Sequence, residues 1–180
     1  MKKWRSDGLG HVDKSKLGSC GDHVIIEDGV RIFHPENIFI GDNVYIGHDT
    51  IIKGYYKHKL TIESNCWIGQ RCFIHGAGGV TIKEFAGIGP SVHILASSHI
   101  EPDDPNEPIL FSPLHFPSIT IEKNCNIGMA TSIIGEVTIG AHSKIGANAL
   151  VNRSIPPYSV AVGVPAKVIK ARASKEGSND

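Results

Sequence analysis

The residues best suited to chemistry are histidines at irregular places in an otherwise regular sequence. His99 closes the run Ala96-Ser97-Ser98-His99-Ile100 and is followed by the carboxylates Glu101, Asp103, Asp104 and Glu107. Imidazole titrates near neutral pH, so His99 is a candidate general base. Glu101, Asp103 or a backbone carbonyl is then the acceptor that orients its second nitrogen. His75 precedes Gly76-Ala77-Gly78-Gly79, where a ligand can approach the backbone closely. Tyr55, Tyr56 and His58 offer rings that can stack on a sugar and hydrogen-bond to it. On the residues alone, an exposed loop histidine, a plain turn and a surface aromatic patch remain open readings.

The elements that must position these residues follow from a repeat. Aliphatic residues recur every six positions at 20, 26, 32; 40, 46, 52; 62, 68, 74; 82, 88, 94; 121, 127, 133; and 139, 145, 151, and sixteen of the eighteen are Ile. Small or aliphatic side chains such as Val24, Val44, Cys66, Cys72, Val92 and Cys125 stand two residues earlier. Positions i−2 and i fall on one side of a short strand, so six residues make one flat face and eighteen close a triangular coil. Glycine follows eight of the marked residues and is expected to let the chain turn. The fold class is therefore all-β: a parallel β-helix of about six coils lined by stacked isoleucines. An antiparallel sandwich fits poorly, because the joints are too short and too regular and Asn-Gly hairpin signals are absent.

The irregularities are informative. Spacing widens from six to eight after 32, ten after 52, eight after 74 and twenty-seven after 94. Each insertion lies between a third face and the next first face, so all emerge along one edge of the prism, and His75, the Tyr55–His58 cluster and His99 stand on it. Long excursions from a regular scaffold are usually functional. Organisation is expected as a lead-in over 1–17, the β-helix over 18–154 with its insertion at 97–118, a cap over 155–173 beginning with Pro156-Pro157, and a polar tail over 174–180.

Composition narrows the partners. Eighteen basic residues balance eighteen acidic ones, with no block of like charge, which disfavours nucleic acid. No apolar run approaches a membrane span, and MKKWRSDGLG lacks the apolar core of a secretory signal, so the expected location is cytoplasmic. The four cysteines lack C-x-x-C spacing and read as reduced core thiols rather than a disulfide framework or a zinc site.

The hexapeptide register, with VHILASSHIEPDDP (92–105), VTIGAHSKIGANALVNRSIPP (137–157) and VGVPAKVIK (162–170), resembles the left-handed β-helix acyltransferases, and most closely the sugar and polysaccharide O-acetyltransferases. The resemblance implies left-handedness, a homotrimer with sites between subunits, acetyl-CoA as donor, and a carbohydrate acceptor. It makes His99 the base that deprotonates an acceptor hydroxyl. It matches the cofactor slot to Ala147, Asn152, Arg153 and Lys170, with two departures: Asn126 where the family often has Trp in V-W-I-G, and Met129 where it has a small residue. His75, Tyr55, Tyr56, His58, Glu101 and Asp103 are candidates for substrate contact.

Three other readings share the scaffold. An N-acyltransferase acting on a nucleotide-linked amino sugar is the nearest, since a neutral amine needs less help from a base than an alcohol does. A γ-class carbonic anhydrase needs three convergent zinc-binding histidines, and His75, His93 and His99 lack the spacing; no metal site is expected. A non-catalytic scaffold would bind no acetyl-CoA and give the long insertion no role.

Overall fold

A computed structural model describes residues 12–55 and 57–172. Three parallel sheets form the three faces of a left-handed β-helix, each coil giving one short strand to each face. The third coil is typical, with Leu60–Ile62 on the first face, Trp67–Ile68 on the second and Phe73–His75 on the third. Its isoleucines pair in register with those of the coils on either side: Ile62 with Ile40 and Ile82, Ile68 with Ile46 and Ile88, Ile74 with Ile52 and Ile94. The insertion after Ile94 leaves the stacking unbroken, since Ile82, Ile88 and Ile94 pair directly with Ile121, Ile127 and Ile133.

The core is the triple column of isoleucines. Ile46, Ile52, Ile62, Ile68, Ile74, Ile82, Ile88 and Ile94 are all 0% exposed, and each such burial stabilises by about 1.5–3 kcal/mol. The i−2 side chains also point inward, where the polar ones bond to the next coil. Thr50 Oγ1 donates to the Gly69 carbonyl at 2.9 Å, Thr131 Oγ1 to Gly146 at 3.1 Å and Ser143 Oγ to Pro156 at 2.9 Å. The thiols of Cys66, Cys72 and Cys125 likewise face the carbonyls of Lys83, Gly89 and Gly140 at 3.1–3.2 Å. All four cysteines are free thiols; Cys66, Cys72 and Cys125 are buried in the core and Cys20 is half-buried. Burial pushes Cys66 up to about 12 and Cys72 to about 11, so neither is a nucleophile at neutral pH.

The corners turn differently from the sequence expectation. The left-handed backbone conformation falls three residues before the core positions of the second and third faces, at His23, Asn43, Asn65, Phe85, Asn124, His142 and Tyr158 on the first–second edge. Asp49, Arg71, Ser91, Ala130 and Asn148 adopt it on the second–third edge. The glycine after the marked residue serves stacking instead. A β-carbon at Gly47, Gly69, Gly89 or Gly128 would come within 2.5–2.8 Å of the backbone nitrogen of Gln70, Pro90, Met129 or Ala147 in the next coil.

The repeat also runs further than Val151. Ile155 bridges Ile139 in parallel, and Ser159–Val162 pairs with Lys144–Ile145 on the second face with Ser159 and Ala161 inward, starting a partial seventh coil. Small inward residues in place of Ile hide this coil from a search for aliphatic repeats. Lys167–Ala171 then folds back antiparallel on Ser159–Val162 and closes that end of the sheet.

Candidate active site

The long insertion leaves the third–first edge as a two-stranded antiparallel arm, Ser98–His99 against Leu114–His115, with a 3-10 turn at Ile109–Phe111. His99 is exposed on the outgoing strand. Its Nδ1 lies 3.1 Å from the Ser112 carbonyl oxygen. A carbonyl can only accept, so Nδ1 carries a proton and, in the neutral ring, the lone pair falls to Nε2, the tautomer a general base requires. Ser112 thus orients the ring, and the exposed Glu101 and Asp103 do not.

Behind the arm lies an aromatic cluster. The His75 ring stacks on Phe73 at 6.1 Å and sits 6.2 Å from Tyr55, and its Nδ1 is 3.4 Å from Ser97 Oγ at the root of the arm. Burial, and secondarily the Lys53 ammonium, lowers its pKa below the usual 6.5 and favours neutral imidazole. Phe116 on the returning chain meets Tyr55 at 5.6 Å and His58 at 6.3 Å, with Lys57 Nζ 5.9 Å from its ring centre. The arm re-enters so closely over Gly78 that any side chain there would strike the Pro117 carbonyl. The structure therefore gathers Tyr55, His58, His75 and the root of the His99 arm on one edge, as the insertion pattern implies. Tyr56 lies outside the described residues. Sequence reasoning missed Ser112, Phe116 and the contact of the Ser97 hydroxyl with His75, all in a segment without periodicity; only their place in a long insertion could have flagged them.

The residues matched to a cofactor slot do not converge within one chain. Asn126 and Lys170 line a groove of about 790 Å³ on the second face, with Lys144, Gly146, Val162 and Arg172. Met129 and Ala147 stand on the second–third edge, at successive coils. Asn152 and Arg153 follow Leu150–Val151 at the third–first edge, where both are exposed. Asn126 and Arg172 also line a second cavity on the same face, of about 480 Å³, with Trp67, Phe85 and Gly87. Its signal was present in the sequence as the outward position before each second-face isoleucine. Among the described residues no three His, Cys, Asp or Glu side chains come together as a metal site, and no helix is long and apolar enough to cross a membrane.

Comparison with known proteins agrees with this architecture. Residues 118–153 match the family model of the bacterial transferase hexapeptide (six repeats), and residues 59–89 match the hexapeptide repeat of succinyl-transferase. An acetyltransferase-family protein of Saccharomyces cerevisiae is 34% identical over 93% of this chain and 72% of its own length. The dTDP-4-amino-4,6-dideoxy-D-glucose acyltransferase of Escherichia coli is 29% identical over 93% of this chain and 90% of that protein. A variant of the N-acyltransferase AntD from Bacillus cereus, solved with dTDP and coenzyme A, superposes with a TM-score of 0.80 at 29% identity, covering 90% of this chain and 88% of that one.

Proposed function

Since the chain belongs to the hexapeptide-repeat acyltransferases and uses an acyl-CoA donor, we propose that it transfers the acyl group to the amine of a nucleotide-linked amino sugar. The observation that carries this reading is the end-to-end likeness, about nine-tenths of both chains, to two acyltransferases whose names and ligands join an acyl donor to a dTDP-linked sugar. It takes precedence over transfer to a sugar hydroxyl, the first expectation from the sequence.

The chemistry uses His99. The neutral amine attacks the thioester carbonyl and a C–N bond forms. Nε2 of His99 takes the proton released by the nitrogen, and the tetrahedral intermediate collapses with cleavage of the C–S bond. The imidazolium then protonates the departing CoA thiolate, so acid and base roles balance over one turnover. The Ser112 carbonyl holds the Nδ1 proton in place, so Nε2 is the atom that takes up and returns the proton.

His99 rises from the third–first edge, and the grooved second face lies opposite that edge. A site using both is made by two copies, the arm of one reaching the groove of the next. Closing such a head-to-tail contact into a ring gives the homotrimer. The arm supports this reading: Leu110 and Phe111 at its tip are 73% and 79% exposed, and Ile109 is exposed beside them. A ligand held between copies meets different edges of each, which accounts for cofactor candidates spread over three parts of one chain. The cytoplasm, where acyl-CoA is abundant, is the compartment this reading implies.

The test is thiol release from acetyl-CoA with dTDP-4-amino-4,6-dideoxyglucose, a galactoside and buffer as acceptors. Release stimulated by the amino sugar supports N-transfer, and release stimulated only by the galactoside overturns it.

A further inference from the structure

The outward positions of the second face form one column: Tyr45, Trp67, Gly87, Asn126 and Lys144, paired strand to strand in register. Tyr45 and Trp67 fill successive rungs as a flat stack, with centroids 5.7 Å apart and planes 6° apart. At the next rung the column stops. Gly87 has no side chain, and Asn126 resumes it beyond. The gap opens into the 480 Å³ cavity whose lining includes Trp67, Phe85, Asn124, Asn126 and Arg172.

The gap has the dimensions of an aromatic ring. A ring centred over Gly87 would stand one strand spacing, about 4.8 Å, from the Trp67 rung, within the range of about 4.5–7 Å over which aromatic centroids stack. Nothing in the fold requires the gap. Gly87 does not have a left-handed backbone, and a β-carbon there would meet only Asn126 Nδ2, at an ordinary 3.5 Å.

Phe85 points the same way. It occupies a left-handed corner position, φ 60°, that Asn fills at 43, 65 and 124 and rings fill at His23, His142 and Tyr158, and it is 52% exposed. Asn adopts this conformation more readily than Phe, and the Phe85 side chain lines the cavity that opens at Gly87. Arg172 adds a cation, its Nη1 donating to the His142 carbonyl at 2.6 Å.

We infer that the gap at Gly87 is a seat for a nucleobase, stacked on Trp67 and flanked by Phe85, with the Asn124 and Asn126 amides at its polar edge and Arg172 serving the attached phosphates. The base belongs either to the nucleotide-linked acceptor or to the adenosine end of CoA. As a statement about the acceptor, it rests on the function proposed above.

Trp67 is its own reporter. The sequence has two tryptophans, Trp4 and Trp67, and Trp4→Phe leaves Trp67 alone. Its fluorescence is titrated with dTDP, with 3′,5′-ADP and with inorganic diphosphate. Quenching by dTDP assigns the acceptor base and quenching by 3′,5′-ADP the CoA adenine, while diphosphate leaves the signal unchanged. Gly87→Leu fills the seat and should weaken nucleotide binding about tenfold or more, the scale of losing one base–aromatic stack. Gly87→Ala, which fits without displacement, gives a smaller loss, and both variants keep the wild-type melting temperature within a few degrees. Absence of quenching by either nucleotide, or equal binding by Gly87→Leu, overturns the inference. Turnover of the amino sugar with a silent Trp67 discards the seat and keeps the reading as an amino-sugar N-acyltransferase; quenching by dTDP without turnover does the reverse.

Discussion

His99, on the outgoing strand of the arm, faces Ser112 at the end of the 3-10 turn before the returning strand, the imidazole Nδ1 3.1 Å from the carbonyl oxygen. The base is therefore oriented by backbone of its own arm, and its alignment depends on how the arm folds more than on any one side chain. Ser112→Ala preserves the carbonyl and should leave kcat within about twofold, whereas His99→Ala at pH 7 should lower kcat by about a hundredfold, the lower end for loss of a general base. With an amine acceptor the His99→Ala defect shrinks as pH rises to 9, because the amine sheds its own proton; a hydroxyl acceptor gives a defect that persists. A pH profile of kcat for the two variants and wild type reads the difference.

His75 links stability to pH. Burial and Lys53 hold its pKa below the ordinary 6.5 in the folded state, so between the folded value and 6.5 the unfolded chain binds more protons. The stabilisation is complete above about 6.5 and is lost as pH falls through the folded-state value. His75→Gln removes this dependence. Melting temperatures from pH 8 to 5 should show the wild type declining below pH 6.5 more steeply than His75→Gln.

Phe85 and Ile88 are three residues apart and should respond oppositely. Ile88 is 0% exposed in the middle of its column, and Ile88→Ala should cost about 2–5 kcal/mol by leaving a cavity. Phe85→Asn places a tolerant residue at φ 60° and should add up to about 1 kcal/mol. Reversible urea unfolding measures both.

The core cysteines should be silent. At pH 8 the thiols of Cys66 and Cys72, pushed up to about 12 and about 11 and fully covered, should resist an aromatic disulfide reagent for hours and react within minutes in denaturant. Rapid labelling of the native protein at either site would show that the coils open locally.

The isoleucine columns were legible because a buried strand face with period two leaves a strict mark at every sixth residue, as Ile62, Ile68 and Ile74 do. The edge that gathers Tyr55, His75 and the root of the His99 arm was legible as well, because all three fall where the spacing breaks. Ser112 and Phe116 were not, since the arm has no period and its pairing is set by where the chain must return, over Gly78. The seventh coil was hidden by Ala161 standing where earlier coils place isoleucine. The gap at Gly87 is an absence, visible only once Trp67, Gly87 and Asn126 are known to be adjacent rungs across a twenty-seven-residue interval in the repeat. Ala147, Asn126 and Arg153 cannot be seen as one slot from a single chain, because they stand on different sides of the prism.

The claim on which the rest turns is that one site is built from two copies, the arm with His99 on one and the second-face groove on the other. Subunit mixing tests it. His99→Ala lacks the base but keeps the groove; Lys170→Glu/Arg172→Glu keeps the base but puts two negative charges in the groove that these residues line. Unfolded together and refolded, the two should give acyl transfer well above the sum of the parents, because mixed assemblies contain sites with a native arm and a native groove. A mixture that stays at the summed parental activity, with mixed assembly verified by differently tagged chains, would contradict the account.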